Sequence, residues 1–229
     1  MADRVHRFVS RVSDLELQDV FNPYCDRCLS CDLPDGPLIR KKNLEASLRA
    51  AVELNVRTLW IARDLGYRGG RRTGLALTDE AHLQSFSASL GGVEVERSTF
   101  GPIVKERTAS VIWQMVHRVS EPIFFWNAFP FHPHEAGKPM TNRCHTAKER
   151  RVTGWVLQEL LDILSPQKIF AIGGDARRCL GSLGIDATAF RHPSYGGQNQ
   201  FIREVEEAYK LNSAKMNPQG AADKQLQLI

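Results

Sequence analysis

The chain has 229 residues, 42% of them hydrophobic and 24% charged, which is the balance of a soluble α/β protein with a sizeable core. No apolar run approaches the roughly 18 to 20 residues of a membrane span, and Asp3, Arg4, His6 and Arg7 deny the N-terminus the apolar centre of a secretion signal. We therefore expect a cytoplasmic protein with no membrane contact. The net charge of +4 permits a nucleic-acid partner without requiring one, and five cysteines, an odd number, argue for reduced thiols rather than a disulfide framework.

Apolar runs alternate with segments of helical period along the chain. From Lys42 to Asn55, Leu44, Leu48, Ala51 and Val52 form one helical face, and the run Thr58-Leu59-Trp60-Ile61-Ala62 that follows reads as a buried strand. A Gly/Arg-rich loop, Gly66 to Arg72, leads through a less regular stretch to a helix expected over Lys105 to Val119. Ile123-Phe124-Phe125-Trp126 is the second buried strand, and a loop through Pro130, Pro133 and Pro139 follows it. Thr146 and Glu149 have the spacing of a capping box, in which each side chain satisfies the other's free backbone N–H, and so mark a helix start. That helix carries Val152, Trp155, Val156, Leu160, Ile163 and Leu164 on one face until Pro166 stops it. Lys168 to Ile172 is a third strand, Gly173-Gly174-Asp175 turns it into a short helix ending at Gly184, and Ala187 to Phe190 is a fourth strand. A last helix carries Phe201, Val205 and Ala208. We expect one domain over residues 1 to 211 and a disordered tail over 212 to 229, which is polar until its last few positions. The alternation predicts an α/β fold, a three-layer αβα sandwich around a mostly parallel sheet.

Three polar residues stand at the carboxyl ends of these strands: Asp64, Asn127 and His192. In an open parallel sheet that edge is where the loops form a crevice and ligands bind. An acid, an amide and an imidazole are expected to converge there.

These residues carry a resemblance to the uracil-DNA glycosylase superfamily. Ala62-Arg63-Asp64-Leu65-Gly66 resembles its first motif, of the type G-Q-D-P-Y. Phe125-Trp126-Asn127-Ala128 is similar to the L-L-N-A run of the uracil-specific branch, and His192-Pro193-Ser194-Tyr195-Gly196-Gly197 resembles the second motif, which begins H-P-S. The motifs occur in the family's order, over roughly residues 20 to 210. The resemblance implies a uracil-DNA glycosylase-like fold and hydrolysis of the bond between a deoxyribose and a deaminated base, with no required cofactor or metal. Asp64 would orient water and stabilise the oxocarbenium-like sugar, and His192 would stabilise the negative charge on the departing base. Asn127 would read the base edge.

Departures from the pattern shape the expected substrate pocket of Gly66, Tyr67, Leu77, Phe129, Ser194 and Tyr195. Gly66 stands where the strictly uracil-specific branch has a Tyr that excludes a thymine methyl, so a roomier pocket is expected. Leu77 replaces the family's stacking Phe, for which Tyr67 or Phe129 would substitute, and Tyr195-Gly196 stands where some members have a Leu wedge. The partner implied is DNA with a damaged base, including single-stranded DNA, with Arg68, Arg71, Arg72, Arg143 and Lys148 available for phosphates.

Two other readings compete. A catalytically weak member could bind damaged or single-stranded DNA without turning it over. A metal- or cluster-dependent hydrolase would use Cys25, Cys28 and Cys31, spaced C-x₂-C-x₂-C like iron–sulfur ligands, or His132, His134 and Glu135. Neither the preferred base nor the oligomeric state is legible in the sequence.

Overall fold

A computed structural model of the chain describes residues 2 to 211; the tail expected over 212 to 229 lies outside the described residues. The four expected strands form one parallel sheet. They are β2 (Thr58–Ala62), β3 (Ile123–Asn127), β5 (Lys168–Ile172) and β6 (Thr188–Phe190), in the order β3-β2-β5-β6. Every residue of β2 and β3 is buried, which is why both read as unbroken apolar runs rather than as alternation. Their register pairs Thr58 with Ile123 and Ala62 with Asn127, so both strands end level with each other.

Successive side chains of a strand point to opposite faces, and the aromatics show what each face meets. Trp60 packs edge-on against Phe125, Phe190 and Phe201, with centroids 5.7 to 6.0 Å apart, on the side covered by α5 (Arg107–Val116) and α8 (Gln198–Ala208). Trp126 faces the other way and meets Phe8 of α1 (Ala2–Ser13) at 6.2 Å. There α1 packs on α2 (Gly36–Glu53) and α6 (Ala147–Leu164). The expected three-layer α/β sandwich is the architecture observed.

The helices follow their sequence signals with shifted ends. Pro37 sits in the first turn of α2, where its missing N–H costs nothing, so the helix starts at Gly36, well before Lys42. The capping box of Thr146 and Glu149 is formed at the start of α6, and Ser165, in a left-handed conformation, ends the helix before Pro166. Val152, expected on the buried face of α6, is exposed. The helix expected over Lys105 to Val119 spans only Arg107–Val116.

Several elements had no expectation attached. α1 buries Val5, Phe8, Val9 and Val12, and β1 (Val20–Phe21) pairs antiparallel with β4 (His132–Pro133). Two short helices, α3 (Gly70–Thr73) and α4 (Leu83–Ser89), flank a 3-10 turn at Glu80–His82, whereas α7 (Gly174–Ser182) is the short helix expected after β5, ending two residues before Gly184. Among the described residues no helix is long and apolar enough to cross a membrane.

Candidate active site

The carboxyl ends of β2, β5 and β6 open onto a cleft of about 700 Å³. Its walls include Arg63, Asp64 and Gly66 after β2, Leu77, Glu106 and Thr108, Asn142 to Cys144, Gly173 to Asp175 after β5, and Arg191 to Tyr195 after β6. Asp64 and His192, the acid and the imidazole expected to meet, line the same cleft.

Asp64 lies at the centre of an ion network. Its side chain is only 5% exposed; one carboxylate oxygen accepts from Arg63 Nε at 2.6 Å and the other from His145 Nδ1. Arg63 also reaches Asp175 at 2.5 Å, and Arg178 closes the chain on Asp175. His145 is itself clamped: its ring stacks on Phe129 with centroids 5.0 Å apart, and its Nε2 faces the Cys179 Sγ at 3.5 Å. Burial alone would lower the His145 pKa, but its hydrogen bonds to Asp64 and Cys179 outweigh this and lift it to about 9. A cationic imidazole and a guanidinium thus hold the Asp64 carboxylate from two directions. His145 was not among the expected site residues, and neither spacing nor periodicity ties it to an acid 81 residues away.

His192 is kept in the opposite protonation state. Burial, then the nearby Arg63 and Arg191, lower its pKa. Its Nδ1 accepts the backbone N–H of Ser194 at 3.2 Å, which leaves the proton of the neutral ring on Nε2. Gly173, at φ +92, passes beneath the ring, and a Cβ there would stand 3.0 Å from the His192 Cβ. Only glycine satisfies both the backbone conformation and this approach. The Ser194 hydroxyl meets Thr108 Oγ1 at 3.0 Å and so ties the His192 loop to α5. Beyond it Tyr195, at φ +52, is 99% exposed.

Other expected site residues are placed differently. Asn127 is 2% exposed and does not line the cleft, although its Oδ1 has no hydrogen-bond partner. Phe129 is fully buried behind His145, and the half-buried Tyr67 lies beside the lining rather than in it; Leu77 does line the cleft. The space beside Gly66 is not open. The Glu106 carboxyl fills it, and a Cβ on Gly66 would stand 3.0 Å from Glu106 Oε1.

The basic loop splits. Arg71 is buried, its guanidinium 3.6 Å over the Phe21 ring and its Nη1 3.0 Å from His132, and Arg72 pairs with Glu80 at 3.1 Å. Both guanidinium groups are thus turned into the fold rather than toward solvent, although Arg72 Nε finds no hydrogen-bond partner there. Arg68 and Lys148 are exposed, whereas Arg143 lines the cleft while held by Glu149 at 2.6 Å. Arg178 and Arg191, which had no expectation attached, stand exposed on the rim.

The cysteine run does not fit a cluster. Cys25 is exposed and directed at Asp26, Cys28 meets Ser30 Oγ at 3.2 Å, and Cys31 is buried. Among the described residues no three His, Cys, Asp or Glu side chains are grouped to hold a metal, those near His132 included.

No protein-family model matches the sequence, and no curated protein matches it. Among solved structures the chain is similar to SMUG2 of Pedobacter heparinus, with a TM-score of 0.61 at 17% identity, over 91% of this chain and 96% of that one. At this identity the likeness is one of fold: the chain shares the α/β fold of SMUG2, as the sequence led us to expect.

Proposed function

We propose that the protein is a DNA glycosylase that hydrolyses the bond between deoxyribose C1′ and the ring nitrogen of a deaminated base such as uracil. The observation that carries this reading is the meeting, in one cleft, of the buried Asp64 carboxylate with the His192 imidazole, whose Nδ1 is occupied by the Ser194 N–H. The fold shared with SMUG2 supports it.

In this reaction the C1′–N bond breaks with its electron pair leaving on the base. The sugar becomes oxocarbenium-like, water adds its oxygen to C1′ and loses a proton, and the base anion takes up a proton. Asp64, held in place by Arg63 and His145, stabilises the positive sugar and orients the water. His192 donates from Nε2 to the carbonyl oxygen on which the base's charge accumulates. One preorganised donor of this kind contributes on the order of 3 kcal/mol in the transition state. A neutral donor suits the task, because it stabilises the developing charge without having to lose its proton.

Asn127, although it sits behind the cleft lining and would have to be uncovered to meet a base, keeps its assignment as a reader of the base edge on one observation, the partnerless Oδ1 at the end of β3. An unsatisfied buried acceptor costs about 1–3 kcal/mol, and an N–H of a bound base would relieve that cost. Arg178, Arg191, Arg143, Arg68 and Lys148 would meet phosphates around the mouth. The exposed ring of Tyr195 would enter the gap left when a base is flipped.

The test is single-turnover release of base from oligonucleotides carrying uracil, hypoxanthine or xanthine, read as alkali-labile sites. Release by the wild-type chain, lost in His192→Ala, is the expected result. A folded His192→Ala with undiminished release overturns the assignment.

A further inference from the structure

The Glu106 carboxyl is a group for which the mechanism above has no use. It lines the cleft, yet no hydrogen bond to its side chain is formed among the described residues. It is pressed against glycine backbone: a Cβ on Gly69 would overlap Glu106 Oε2, and one on Gly66 would crowd Oε1. Its own backbone N–H donates to Asp79 Oδ2 at 2.6 Å, so a second carboxylate stands beside it, itself paired with His82 at 2.6 Å. A carboxyl with unused donor and acceptor capacity at the wall of a ligand cleft is a recognition group in search of a partner.

Position in the cleft says which part of the substrate it meets. The outer rim holds the guanidinium groups of Arg178 and Arg191, which suit phosphates, while Leu65, Gly66, Gly70 and Leu77 give the Glu106 end an apolar lining that suits an uncharged base. Building on the reading of the site as a glycosylase, we propose that Glu106 is a base-binding residue whose carboxyl hydrogen-bonds the adjacent N–H and C=O of a lactam-type base, such as uracil or hypoxanthine. A carboxylic acid matches that edge with two antiparallel hydrogen bonds, its O–H donating to the C=O and its own C=O accepting from the N–H. A carboxylate loses the first bond and is repelled by the carbonyl oxygen.

The surroundings favour the acid. Burial and then the charge of Asp79 raise the Glu106 pKa, with exposed Arg68 opposing them, to about 7. Asp79 at the 3-10 turn and Arg68 in the loop after β2 are the charged groups that act on it, Lys105 and Arg107 beside it in sequence being exposed. Base binding through Glu106 therefore weakens as pH rises through about 7. This is distinct from the lowered titration of His192 and from that of His145 near 9.

The experiment compares wild type, Glu106→Gln and Glu106→Ala in single-turnover release of uracil and hypoxanthine from pH 5.5 to 8.5, with thermal melts to verify folding. In parallel, the affinity of each protein is measured for a single-stranded oligonucleotide carrying one non-cleavable 2′-fluoro-deoxyuridine. Glu106→Ala should lose about tenfold at pH 6, the value of one or two hydrogen bonds. Glu106→Gln, which keeps a donor and an acceptor, should stay within about threefold of wild type and lack the decline near pH 7. Folded Glu106→Ala that matches wild type in both measurements overturns the proposal, as does Glu106→Gln falling as far as Glu106→Ala. If the wild-type chain releases no base, the hydrolytic reading fails by itself. The 2′-fluoro-deoxyuridine affinities then decide the role of Glu106: loss in Ala with retention in Gln upholds it, and equal affinities end it.

Discussion

The two walls of the cleft present the same functional group in opposite circumstances. On one wall Asp64 is locked by Arg63 and His145, and its neighbours Asp175 and Arg178 are paired as well. On the other, Glu106 faces the cleft with an apolar lining and a like charge for company. A carboxylate that must stay ionised and motionless is surrounded by cations, and one that must adapt to a ligand is left unpaired. Two acids in one cleft with such different surroundings are those to which separate roles belong.

Breaking the locked wall should have the largest effect. Asp64→Asn keeps the shape but removes the charge, and base release should fall at least about a hundredfold while the protein stays folded, because the lost interaction is made to the transition state. Asp64→Ala is the poorer probe, since it removes the side chain's shape as well as its charge and leaves the buried His145 without its carboxylate, while Arg63 keeps Asp175, and it will lower stability too. A folded Asp64→Asn with wild-type turnover would show that the ion network is scaffolding and nothing more.

His145 sharpens the same comparison. If its role is to hold Asp64, His145→Ala should cost about tenfold in turnover with little change in substrate affinity, the split expected when geometry rather than binding is lost. Its folded pKa of about 9 lies above its ordinary value, so the ion pair it makes is intact below about 6.5 and is lost as pH rises through 9. The wild type should therefore lose both activity and thermal stability around pH 9, beyond any decline due to Glu106 near 7, and His145→Ala should lack the step at 9. Measuring both profiles between pH 7 and 10 checks this.

The arginines repeat the contrast in another place. Arg178→Ala and Arg191→Ala should each weaken DNA binding several-fold and reduce the dependence of affinity on salt by about one counterion, as lost phosphate contacts do. Arg71→Ala should leave that salt dependence unchanged and instead lower the melting temperature, because its guanidinium is buried over Phe21. Equal salt slopes for Arg191→Ala and the wild type would remove the rim from the DNA-binding surface.

How much of this was legible depends on whether the signal is local. Buried parallel strands write themselves as apolar runs, so β2 and β3 and the polar residues that end them, Asp64 and Asn127, stand out, and so does the capping box of α6. The helix α1 is equally legible in the spacing of Val5, Phe8, Val9 and Val12, which form one apolar face although charged residues stand between them. A two-residue pairing such as β1 with β4 carries no periodicity at all. His145 and Glu106 were invisible for a different reason: each matters through a contact with a residue distant in sequence, Asp64 for one and Gly66 for the other. The Gly/Arg loop misled because a guanidinium over an aromatic ring and one in solvent have the same sequence.

The smallest expected effect is also the one that isolates the unpaired wall from catalysis altogether. Glu106 has a folded pKa above its ordinary value, so the folded state binds its proton more tightly than the unfolded chain does. Stability is then lost as pH rises from about 4.5 through 7, the reverse of the usual acidic residue, because the protein must either hold a proton against the solvent or bury a charge beside Asp79. Glu106→Gln has no proton to lose and keeps nearly the same shape. Relative to wild type it should therefore melt at a higher temperature at pH 8, by a few degrees at most, with the advantage shrinking toward pH 5. Thermal melts of the two proteins at these pH values need no substrate and no assumption about the reaction. A constant difference between them at all pH values would mean that Glu106 is already satisfied in the folded protein, and that the two walls are less unlike than their geometry indicates.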